Sequence, residues 1–87
     1  MAMTELEIFE GFAKTIEEFA GVPASEVTLE ADLADDLNID SLSMVEIIVS
    51  AQDKFSIEIP DKDLKDLKTV QDVVGYVQSA QRSGVSA

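Results

Sequence analysis

The chain contains no cysteine and no histidine. The first absence removes disulfide staples and thiolate metal sites. The second removes the usual general base, without which a serine is hard to activate as a nucleophile. Cations are scarce as well: 6 Lys+Arg stand against 18 Asp+Glu, for a net charge of −12. Such a surface repels the phosphates of nucleic acid and the anionic face of a membrane. It suits partners with basic patches, because opposite fields steer encounter and raise on-rates. No apolar run approaches the ~20 residues of a membrane span, so membrane insertion is not expected. Internal repeats, low-complexity segments and domain linkers are missing. The opening MAMTELEIFEGF is acidic and unlike a secretory or transit signal, which together with the lack of cysteine fits a cytoplasmic protein.

What is present suffices for one small domain. The 87 residues fit a single unit over 1–87 with a modest core. Hydrophobic residues make up 46 %, too many for a wholly disordered chain. Thr4 with Glu7 reads as a capping box. Phe9, Phe12, Ala13, Ile16, Phe19 and Ala20 follow it at helical spacing. With Gly21 as a stop and Pro23 beyond it, the first helix is expected over about 4–20. Residues 22–40 form a long loop that Val27, Leu29, Leu33 and Leu37 tack onto the core. A second helix is expected over about 41–55. SIEIP is an extended connector, and DKDLKDL offers a short helical turn after Pro60. Thr69 with Asp72 opens a last helix, whose Val70, Val73, Val74 and Val77 share a face. Gly75 weakens that helix. The tail from about residue 82, RSGVSA, is small and polar and is expected to fray. The fold class is all-α: a small four-helix bundle of three main helices and one short one, with a long first loop.

The second helix carries two apolar stripes. On a wheel of 3.6 residues per turn, Met44, Ile47, Ile48, Ala51 and Phe55 fall within one arc, as a core stripe does. Leu42, Val45 and Val49 fall on a roughly opposite arc, bordered by Glu46 and Asp53. Either the long loop covers this second stripe or a partner does.

Ser41 stands where the acidic DDLNID meets this helix. As an N-cap it competes with Asp40, which is an equally good cap. As a nucleophile it lacks a base. As an attachment point for a phosphodiester it has the positive end of the helix dipole in its favour and nearby carboxylates against it. The spacing of Asp36, Asn38 and Asp40 suggests the start of a calcium loop. However, Ser41 stands where that loop needs Gly, and Ile47 stands where it needs Glu, so no metal site is assigned.

The stretch DSLSMVEI at 40–47 resembles the D-S-L motif of acyl carrier proteins. The resemblance extends over most of the chain, through DDLNIDSL, FSIEIPD at 55–61 and KTVQDVVGYV at 68–77. Its wording is most similar to the fatty-acid carriers of high-GC Gram-positive bacteria. The resemblance implies that Ser41 carries 4′-phosphopantetheine, transferred from coenzyme A by a phosphopantetheinyl transferase (holo-acyl-carrier-protein synthase). The protein would do no chemistry of its own. It would shuttle growing fatty acyl thioesters among the enzymes of a type II synthase: ketosynthases, malonyl transferase, reductases and dehydratase. By the same resemblance, Asp40, Leu42, Val45, Glu46, Val49, Asp53 and Asp61 are recognition residues, and Ile47, Ile48, Ala51, Phe55 and Ile59 line the acyl chain's pocket. A monomer is expected. Ser43, Gln52 and Lys54 stand where better-known fatty-acid carriers often have acids, which leaves room for a partner that relies more on apolar contact. The alternatives are a polyketide carrier and, in another class, a helical adaptor in which Ser41 is only a cap.

Overall fold

Thr4 starts the first helix with both halves of the expected capping box. Its hydroxyl accepts from the Glu7 N–H at 3.2 Å, and the Glu7 carboxylate accepts from the Thr4 N–H at 2.9 Å. Helix α1 then spans Glu5–Ala20 and stops at Gly21. That residue takes a left-handed φ of 75°, and its N–H donates to the Glu17 carbonyl. Such a conformation costs a glycine little. The structure, a computed structural model, describes residues 3–82. Three further helices follow: α2 (Ser41–Phe55), α3 (Asp61–Leu64) and α4 (Val70–Arg82). No strand lies among the described residues, and the all-α four-helix reading holds. Of the tail expected to fray, Arg82 closes α4 and the rest lies outside the described residues.

α1 packs against both α2 and α4. The core joins Ile8, Phe12, Ala13 and Ile16 of α1 to Ile47, Ile48, Ala51 and Phe55 of α2 and to the four valines of α4. Ile57 and Ile59 of the connector complete it. Each such Ile, Val or Phe, fully buried, contributes roughly 1.5–3 kcal/mol of transfer free energy. Two details of α1 differ from the spacing argument. Ile8 is fully buried although the pattern was anchored one residue later, at Phe9, which is only half-buried. Phe19, which shares the helical spacing of the buried residues, is 40 % exposed. It sits in the last turn of α1, beside Ala20, which still packs on the core.

At the far end from Ser41, one side chain ties three segments. The Gln81 amide accepts from the Met3 N–H at 2.9 Å and donates to the Phe55 carbonyl at 3.1 Å. α2 also approaches α1 closely there. A Cβ on Gly11 would stand 3.1 Å from the Phe55 ring. The Gly11 carbonyl accepts from both the Thr15 hydroxyl and the Lys54 ammonium.

The long first loop is held in place rather than free. It contains one 3-10 turn, Ala24–Glu26. Val27, Leu33 and Leu37 are buried as expected, with Leu29 half-buried, and Ala31 and Ile39 join them. The backbone of the loop is sewn to the start of α4. Leu33 N–H donates to the Lys68 carbonyl, Val70 N–H to Ala31 and Gln71 N–H to Leu29, around a single antiparallel bridge between Asp32 and Thr69. Asp32 closes a tight turn by accepting from the Ala34 and Asp35 N–H groups, and its own N–H donates to Asp36. This turn delivers the chain to α2.

Candidate functional site

Asp40 is the N-cap of α2. Its carboxylate accepts from the Ser43 N–H at 2.7 Å and its carbonyl from the Met44 N–H at 2.9 Å. The Ser43 backbone bond is the main cause that holds its carboxyl below the usual range. Ser41 therefore does not cap the helix, contrary to one of the readings of the sequence. It is the first helical residue, exposed to solvent, one step inside the cap. A capping carboxylate sequestered in this way leaves the adjacent hydroxyl without a structural duty. α2 offers its positive dipole end at the same place.

The second stripe of α2 is uncovered. Leu42 is 73 % exposed, Val45 54 % and Val49 58 %. The long loop packs elsewhere, toward α4. Val45, Glu46, Val49 and Asp53 come together along one cleft, whereas Leu42 lies a turn nearer Ser41 and outside its lining. Asp61 is exposed at the start of α3 and is not part of that cleft's lining. The inward residues Ile47, Ile48, Ala51, Phe55 and Ile59 are all buried and belong to one core cluster. Gln52 fixes the last of them, since its side-chain carbonyl accepts from the Ile59 N–H at 2.8 Å. Lys54 turns its ammonium to the Gly11 carbonyl, away from Ser41. Among the described residues no cluster of three or more acidic side chains is arranged to hold a metal ion.

Residues 10–77 match the family model described as the phosphopantetheine attachment site. An acyl carrier protein of Thermobifida fusca is 67 % identical over 78 residues, covering 90 % of this chain and 99 % of the relative. The chain belongs to the acyl carrier protein family. A meromycolate extension acyl carrier protein of Mycolicibacterium smegmatis is 52 % identical over all 87 residues and 88 % of its own length. Both relatives come from high-GC Gram-positive actinobacteria. Among solved structures, the acyl carrier protein of Enterococcus faecalis superposes with a TM-score of 0.75 at 36 % identity. The match covers 90 % of this chain and 99 % of that one. Acyl carrier proteins take 4′-phosphopantetheine as their covalent cofactor, and the family is one of carriers rather than catalysts. Membership implies work with the enzymes of fatty acid synthesis. Among the described residues no helix is long and apolar enough to cross a membrane.

One surface residue escaped the sequence argument. Phe19 lines the same cleft as Val45 and Val49. Its helical spacing is that of the buried residues, and no local signal in the sequence marks it as exposed.

Proposed function

We propose that Ser41 is the attachment point of 4′-phosphopantetheine in this chain, and that acyl groups ride on that arm as thioesters between the enzymes of a type II fatty acid synthase. The observation that carries this is the division of labour at the start of α2. Asp40 takes the cap, and Ser41 beside it is exposed and uncommitted within the segment the family model matches. When bound, the cofactor supplies the thiol that this cysteine-free chain lacks. The chain itself contributes position. The exposed Asp40 and Leu42 flank Ser41 for a phosphopantetheinyl transferase to read. Val45, Glu46, Val49, Asp53 and Asp61 face the synthase enzymes: ketosynthases, malonyl transferase, reductases and dehydratase. Ile47, Ile48, Ala51, Phe55 and Ile59 form the apolar interior that shelters the acyl chain. Fatty acyl cargo is supported by the full-length likeness to a meromycolate extension carrier. With neither histidine nor cysteine, the chain is read as a non-enzyme. It is further read as a cytoplasmic monomer forming one domain over 1–87.

The test is loading. Incubation with coenzyme A and a phosphopantetheinyl transferase is expected to raise the intact mass by one phosphopantetheine group, and Ser41→Ala is expected to abolish the gain. A gain that survives Ser41→Ala overturns Ser41 as the attachment point, and no gain in the parent chain leaves the helical adaptor.

A further inference from the structure

The outward stripe of α2 does not end on α2. Between it and the last turn of α1 lies an open cleft of about 530 Å³, lined by Phe19, Val45, Glu46, Val49, Ser50 and Asp53. Three of these six residues are apolar and exposed, and two are acids. Glu18, next to Phe19, is exposed as well, and no cation lines the cleft. Lys54, the nearest in sequence, is occupied with Gly11. An aromatic ring 40 % exposed beside two half-exposed valines keeps apolar surface in water, which costs free energy unless a partner covers it.

We propose that Phe19 of α1 is a partner-contact residue, the wall of this cleft (the socket) against which one large apolar side chain of a partner enzyme, presented among lysines or arginines, packs. The inference rests on the reading of α2 as the docking face and adds a second helix to it. Charge chooses the occupant. A second copy of the chain brings another −12, and an anionic membrane brings more negative charge still, so both are repelled. A basic surface is attracted by Glu46 and Asp53 at the rim, while the apolar floor takes its central residue. That division, apolar anchor within and charged pairs around, is the usual anatomy of a binding hot spot. Geometry fits delivery. Val45, Val49 and Asp53 follow Ser41 at four-residue steps, so the socket lies ~6 to ~18 Å along the helix axis from the attachment residue. A partner anchored there meets the Ser41 end of α2 next to its own surface.

The experiment measures affinity of the carrier for a purified ketosynthase of the same synthase, by titration calorimetry or surface plasmon resonance. Phe19→Ala and Phe19→Ser are expected to weaken binding about tenfold, and Phe19→Leu, which keeps the wall apolar, to stay within about threefold of the parent. Leu6→Ala is the control: Leu6 is 63 % exposed on the same helix but outside the cleft, and its loss is expected to leave binding unchanged. Thermal melts of each variant separate binding from folding. Loading at Ser41, read by mass on the same variants, reports on the attachment site and not on the socket, so the two readings fail separately. Phe19→Ala binding within twofold of the parent, or Leu6→Ala weakening it equally, overturns the socket. So does a concentration-dependent dimer of the parent that Phe19→Ser dissolves, which would make a second copy the occupant.

Discussion

Two glycines show how one residue type carries opposite consequences within the same helical conformation. Gly75 lies inside α4 with nothing within 4 Å of where a Cβ would go. It costs the helix backbone entropy and gives no packing in return. Gly75→Ala is expected to raise unfolding free energy by about 0.5–1 kcal/mol in urea titrations. Gly11 lies inside α1, where the same change would put a methyl 3.1 Å from the buried Phe55 ring. There the propensity gain is opposed by overlap in a close-packed core. Gly11→Ala is therefore expected to show no net gain, or a loss. Equal gains at the two sites would mean that the Phe55 ring yields freely. At the functional end, the comparable subtlety is between neighbours. Asp40 and Ser41 are both good caps, and only the observed bond from the Ser43 N–H to Asp40 tells them apart.

Among the elements, α3 is the least anchored. It is one turn long and has no fully buried residue. Leu64 and Leu67 pack partly on the core, and one side-chain bond ties it to α4: the Tyr76 hydroxyl donates to the Asp63 carboxylate at 2.7 Å. This bond, with desolvation adding to it, pushes the Tyr76 pKa from its ordinary 10 up to about 12. A raised acid pKa means the neutral phenol is favoured on folding. The contribution to stability is thus complete below pH 10 and is lost as pH rises toward 12. Tyr76 is the single tyrosine, and there is no tryptophan. Tyrosinate absorbance of the native protein is therefore expected to appear near pH 12, and that of urea-unfolded protein near pH 10. A native titration near 10 would mean the α3–α4 tie does not hold in solution. This tie was not legible in the sequence, because Asp63 and Tyr76 lie on different helices and no local pattern links them. The helices themselves were legible. The Thr4–Glu7 capping box, the reciprocal bonds of Thr69 N–H to the Asp72 carboxylate and Asp72 N–H to the Thr69 hydroxyl, the Gly21 stop and the valine face of α4 are signals within a few residues of each other. The two stripes of α2 were legible for the same reason, although which of them a loop would cover was not. Periodicity gives a residue its direction on a helix and says nothing of whether a neighbouring element covers it, which is why the spacing of Phe19 does not reveal its exposure.

Across the whole molecule, charge is uneven. Residues 5–40 hold eleven acids and a single cation, Lys14, whereas three of the six cations, Lys62, Lys65 and Lys68, crowd the segment around α3. Self-repulsion of the first half opposes folding and is screened by salt, over about 30 Å at 0.01 M and about 8 Å at 0.15 M. Raising NaCl across that range is expected to raise Tm on the order of 5 °C, equivalent to about 1 kcal/mol for a domain of this size. A flat Tm would show that the acids are already neutralised by local pairing. The proposed docking face obeys the opposite rule: salt that steadies the fold is expected to slow its encounter with a basic partner.

The stitching of the first loop to α4 bears on how the chain takes mechanical load. The proposed arm hangs from Ser41, and any tug on it reaches Asp40 and the turn before it. From there Ile39 N–H holds the Leu33 carbonyl, and Leu33 N–H holds Lys68 just before α4. The tension thus passes in two hydrogen-bonded steps to the last helix, which is seated on α1. The proposed attachment point is a guyed mast, with a stay running to α4 so that α2 does not take the pull alone.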